Sequence, residues 1–221
     1  MKISPKFIQK NCVEGNKVDM QQANAVLKYK PDIVLFEYPT GKTGPDAIFN
    51  KYSTNKKPLK KVDGIIKNRK ISAKKYPYAE SDIFVWQNIK KLWSQDHNVL
   101  IFNIDAPDEL RREYFENLEP KYPQARKDFL FWVYLYLREI YMTKNMEKIL
   151  KSYSEKENPT VAVFLQSIHW QHVQFLLTKP NKSKIWKYYF GRFPKLKPKT
   201  IDAEIKKRSL FLYRWWNKQN F

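Results

Sequence analysis

A chain of 221 residues, 43% of them hydrophobic, has enough apolar material for one substantial core, so a single domain spanning 1–221 is expected. Its 42 Lys and Arg against 22 Asp and Glu give a formal charge of +20, which calls for an anionic partner, RNA or a ribosome ahead of a membrane surface. The lone Cys12 excludes an internal disulfide, three histidines without a cysteine cluster exclude the familiar structural zinc modules, and no apolar run reaches membrane-span or signal-peptide length, so a cytoplasmic, reducing setting is expected.

A first, weak strand is expected over Lys6 to Val13, followed by three β-branched runs that read as buried strands: Asp32 to Phe36, Val99 to Ile104 and Thr160 to Leu165. Helical periodicity fills the intervals. Ser81 to Trp93 places Ile83, Trp86, Ile89 and Trp93 on one side, with Ser81 as the expected N-cap and Asp82 in the first turn. Ala125 to Lys151 carries the longest stripe, through Phe129, Trp132, Val133, Tyr136, Leu137, Ile140, Met146 and Ile149. Asn158-Pro159 then delivers the chain into the last strand, and Ile201 to Trp216 reads as one further amphipathic helix capped by Thr200. Strand and helix in alternation predict an α/β protein with a mostly parallel sheet flanked by helices.

The charge is concentrated in two places. Lys51 to Lys75 holds ten basic residues and one acid, Asp63, and reads as part of a basic loop or insertion over 38–80. From Lys179 to Lys218 thirteen basic residues face two acids and are interleaved with aromatic rings, in a C-terminal extension over 179–221. Lys182, Lys184, Lys187, Arg192, Lys206, Lys207, Arg208 and Arg214 are the candidates for contact with nucleic-acid phosphates. Two arrangements satisfy this pattern: a groove that also stacks bases on its rings, or a solvated face whose rings point inward. No helix-turn-helix, RNP or zinc-finger signature accompanies it.

In an open α/β sheet, ligands collect beyond the carboxyl ends of the strands. The polar residues there are Glu37, Asp105 and Gln166, with Glu14, Asn16 or Asp19 after the first strand. His169 and His172 stand at helical spacing three after the last strand, a placement that suits a metal ligand or a base. Each of these has an ordinary alternative as a cap, a turn former or a satisfied structural side chain.

The run from Lys30 to Val173 resembles the TraB/Tiki superfamily, relatives of the erythromycin-esterase-like fold. The resemblance is carried by KPDIVLFE ending at Glu37, by VLIFNID ending at Asp105, by LREIYM with Arg138 and Met142 in an R-x-x-x-M spacing, and by VAVFLQSIHWQHV with His169. It implies a hydrolase in which Glu37, Arg138 and His169 are catalytic and Asp105, Gln166, His172 and Asn16 bind substrate, with a divalent metal ion on Glu37 and His169 as one form of the site. Two features depart from the family pattern. Gly15-Asn16-Lys17-Val18 stands where a G-x-x-H motif is expected, and Gln166-Ser167-Ile168 replaces the small residues before the final histidine, where glycine leaves room for substrate. A relic of the enzyme, its polar residues paired with each other, is the alternative that these departures imply.

Overall fold

The structure is a computed structural model that describes residues 6–11, 24–37, 63–64, 66–68, 70, 79–95, 97, 99–118, 128–153, 158–165 and 167–219. The protein is mixed α/β and forms two compact units. The first draws on the described residues within Met1–Glu37, Pro45–Asn103 and Glu147–Trp170, the second on those within Ile104–Met146 and Gln171–Phe221.

The first unit is built on a small four-stranded parallel sheet in the order β1-β4-β2-β3, with β1 at Lys6–Asn11, β2 at Ile33–Phe36, β3 at Leu100–Asn103 and β4 at Thr160–Leu165. The parallel arrangement expected from the alternation of elements is the one observed. Continuous burial along β2, and of all but the first residue of β3 and β4, explains why these runs are uniformly apolar: a parallel sheet is covered on both faces. Asp32 fastens the start of the sheet. Its N–H donates to Thr160 O at 2.8 Å, its carboxylate accepts from Thr160 N at 2.8 Å, and its carbonyl accepts from Leu100 N at 2.9 Å.

Helix α1, Ala79–Ser94, packs on the sheet through buried Ile83, Val85, Trp86, Ile89 and Leu92. Phe36 is stacked between Trp86 and Phe164, each 5.2 Å away, which joins helix and sheet through aromatic contact. The helix begins two residues before Ser81, so Ser81 lies in its first turn and is not the cap. Within the stretch read as a basic loop or insertion, positions 63–64, 66–68 and 70 are helical, and Asp63 pairs with Lys90 of α1; the rest of Lys51 to Lys75 lies outside the described residues.

The second unit is helical. After β3 the chain forms α2, Asp108–Arg112, which runs into a π-helical turn at Glu113–Leu118. Helix α3, Phe129–Tyr153, and helix α4, Ser167–Leu177, contribute residues to both units. The C-terminal helices are α5, Lys182–Phe190, α6, Ile201–Arg208, and α7, Leu210–Asn217. Tyr136, Leu137, Tyr189, Phe190, Ile205, Leu212 and Trp216 are among the buried residues of one hydrophobic core.

The single helix expected over Ile201 to Trp216 is in fact two. Ser209 is extended, with φ −153° and ψ 104°, and its hydroxyl accepts from Leu212 N at 3.2 Å, so it stops α6 and caps α7. Thr200 does not cap α6 with its side chain. Its hydroxyl is already engaged with Lys197, accepting from the N–H and donating to the carbonyl, in a 3-10 turn at Pro198–Thr200. Trp216 Nε1 donates to Asp202 Oδ1 at 2.8 Å and ties α7 back to α6.

Gly191 closes α5 in a place without room for a side chain: a Cβ there would lie 2.5 Å from the Lys187 carbonyl oxygen. Gly191→Ala is therefore expected to lower stability by about 1–3 kcal/mol, the usual range for forced overpacking. Urea denaturation checks it, and an unchanged midpoint would mean that the end of α5 yields freely. Among the described residues no helix is long and apolar enough to cross a membrane.

Candidate functional site

Glu37 and His169 meet in the first unit. The Glu37 N–H donates to Phe164 O at 3.1 Å, which continues the β2–β4 ladder one residue past Phe36 and fixes Glu37 at the carboxyl end of β2. His169 is delivered by the first turn of α4, which begins two residues after β4 ends. These are the two central strands of the sheet, and their ends bring His169 Nε2 to 3.4 Å from Glu37 Oε1. The side chains are 5% and 10% exposed, so the pair is largely sheltered from water. A carboxylate beside an imidazole in low dielectric can hold, accept or pass a proton.

A tetrahedral zinc site takes at least three protein donors. Glu37 and His169 supply two here, and among the described residues no group of three His, Cys, Asp or Glu is placed to hold a metal ion. The described donor set therefore does not by itself make a complete metal site. Asn16, Glu14, Asp19 and Gln166 lie outside the described residues.

In the second unit Arg138 on α3 grips Asp105 with a two-pronged guanidinium: Nε donates to Oδ1 at 2.7 Å and Nη2 to Oδ2 at 2.6 Å. The same Oδ1 accepts from Ala106 N at 2.7 Å, and Asn145 Nδ2 donates to Ile104 O at 3.1 Å. With side chains 12% and 2% exposed, Arg138 and Asp105 form a buried, directional pair that fixes the turn between β3 and α2. Arg138 and Asp105, two candidates given separate roles from the sequence, are thus partners.

His172 faces a carboxylate that sequence reasoning missed. Its Nδ1 lies 2.7 and 2.8 Å from the two oxygens of Glu139, and Tyr189 OH donates to Glu139 Oε2 at 2.7 Å. When Glu139 is ionised its two oxygens only accept, and His172 Nδ1 then donates to them. Glu139 is fully buried, and rings of Trp132, Tyr188 and Tyr189 surround His172. Burial pushes the Tyr189 phenol far above its usual range, and the Glu139 carboxylate adds to that shift. Tyr188 is raised in the same sense by burial and by Glu139, with Arg192 opposing. The signal for Glu139 was present: positions 132, 136, 139, 143 and 146 continue one helical stripe, which puts the carboxylate on the apolar face. His97 Nε2 lies 3.2 Å from Pro31 O before the sheet.

The C-terminal basic segment resolves into the second of the two arrangements considered. Lys182, Lys184, Lys187, Arg192, Lys206, Lys207, Arg208 and Arg214 are all exposed, whereas Tyr189, Phe190 and Trp216 are buried and Trp186, Phe193, Tyr213 and Trp215 half-buried. Apart from Tyr188, which is exposed on one side and stacked on Phe175 on the other, the rings of α5 and α7 lie toward the inner side of these helices. Arg192 lies 3.2 Å over the Trp132 ring, and Arg208 pairs with Glu204.

No family model, no curated protein and no solved structure matches this chain.

Proposed function

We propose that the chain is a divergent hydrolase of the TraB/Tiki type, with Glu37 and His169 as its acid–base pair. One observation supports this reading: two residues singled out by separate motifs, far apart in sequence, stand 3.4 Å apart at the carboxyl ends of the central strands. In the proposed reaction Glu37 takes a proton from water as its oxygen attacks an ester or amide carbonyl. Protonated His169 gives its proton to the departing oxygen or nitrogen, so water is consumed and an acid and an alcohol or amine are released. The test is hydrolysis by the purified protein over an ester and peptide panel, with Glu37→Gln and His169→Ala beside it. The expected loss of kcat is on the order of 10²–10⁴-fold for each, with the fold retained by circular dichroism. Wild-type protein inert across the panel, or variants as active as wild type, would sink the proposal in favour of a relic.

The exposed cations of Lys179 to Lys218 favour a second and compatible reading, a basic protein held on a polyanion such as RNA or a ribosome.

A further inference from the structure

We infer that the C-terminal helical segment, Lys179 to Lys218, binds the phosphate backbone of double-stranded nucleic acid and does not read bases. The inference rests on the polyanion reading above and names its ligand. All thirteen basic residues of the segment are exposed, and its two carboxylates are already engaged, Asp202 by Trp216 Nε1 and Glu204 by Arg208. So one-sided a surface repels itself within the Debye length of about 8 Å at physiological salt, and a dense row of phosphates relieves that repulsion by releasing counterions.

The rings decide between ligands. A protein that holds single strands offers aromatic faces on which bases stack. Here every one of the interleaved rings is engaged within the chain. Tyr188 is stacked on Phe175 at 4.1 Å and 13°, Trp186 meets Phe190 at 5.4 Å, Phe193 meets Phe129 at 5.7 Å, and Trp215 meets Tyr141 at 5.5 Å. Tyr189, Phe190 and Trp216 lie in the core, and Tyr213 has Lys206 5.6 Å from its centroid. What remains outside is mainly charge, with Tyr188 the one exposed ring among them and one of its faces covered by Phe175. A duplex presents phosphates with its bases already stacked, so it loses nothing on such a surface, whereas an unstacked strand gains nothing from it. A bilayer is disfavoured because the large apolar residues exposed in the segment are Tyr188 and Leu210, too few to make an inserting face.

The experiment uses the full chain and fluorescence anisotropy with an RNA duplex, a DNA duplex of the same sequence, a non-pairing single strand, heparin, and vesicles containing phosphatidylserine. The duplexes are expected to bind at least as tightly as the single strand, independently of sequence, with tryptophan emission unchanged and affinity falling steeply with salt. The RNA and DNA arms say which duplex is preferred. Charge reversals Lys184→Glu, Lys187→Glu, Lys207→Glu and Arg214→Glu sit on exposed helix positions and leave packing intact. Each should weaken every duplex equally, and each lost phosphate contact should lower the logarithmic salt slope by about 0.9. Preferential single-strand binding with quenched tryptophan, or binding to vesicles alone, overturns the duplex inference while the polyanion reading survives. Failure to bind any of the five probes overturns both.

Discussion

Glu139→Ala is expected to lower the unfolding free energy by about 3–5 kcal/mol, because it strands two donors inside the second unit. His172 Nδ1 and Tyr189 OH both point at this carboxylate, and Glu139 has no exposed surface from which water can replace it. Glu139→Gln keeps one acceptor oxygen in the same volume and should cost less, roughly 1–2 kcal/mol. Because the two donors share one acceptor, Glu139→Ala and Tyr189→Phe should combine non-additively, with a coupling on the order of 1 kcal/mol or more. Urea denaturation of the two single variants and the double variant measures all three quantities. An alanine variant within 1 kcal/mol of wild type would show that the network contributes little.

The same burial produces a strong alkaline sensitivity. Tyr136 is held far above the ordinary phenol range by burial, and Tyr189 by burial together with Glu139. In the unfolded chain both would ionise near pH 10, the ordinary value for tyrosine, whereas the native state keeps both protons. Below that pH the two states bind the same protons and the stabilisation is complete. Above it the unfolded state binds fewer, so stability falls by about 1.4 kcal/mol per pH unit for each tyrosine, or about 2.7 for the pair. Denaturant midpoints stepped upward from about pH 9 should therefore stay level and then drop. Phenolate absorbance should show exposed tyrosines titrating first and the buried pair appearing together with unfolding. A midpoint flat to about pH 11, with all tyrosines titrating reversibly in the folded protein, would contradict the assignment.

The strands were legible because burial on both faces leaves a residue pattern with few alternatives, as in Ile33–Phe36 and Thr160–Leu165. The ends of helices were less legible. Thr200 has the right chemistry for a cap, but what a hydroxyl bonds depends on local turns that periodicity does not encode. Ser209 shows the converse: apolar spacing runs through it unbroken, and the break comes from its own side chain competing for the backbone. At the site, Glu37 and His169 were readable from strand-end position, while Glu139 was overlooked because a charge within a helix is ordinarily taken as solvent-facing. The aromatic and basic extension was ambiguous in sequence since an amphipathic helix and a base-stacking groove use the same residues.

The strand order sets the timetable of synthesis. β1, at Lys6–Asn11, has β4 as its neighbour, and β4, at Thr160–Leu165, is the last made of the described strands, yet it sits between β1 and β2. An emerging chain therefore carries β1 with its hydrogen-bonding edge unsatisfied, and β2 with one partner, until residue 165 has left the ribosome. Contacts so distant in sequence make for slow folding. The cost falls on the interval before the sheet closes, when a strand edge in search of a partner pairs with another chain as readily as with its own.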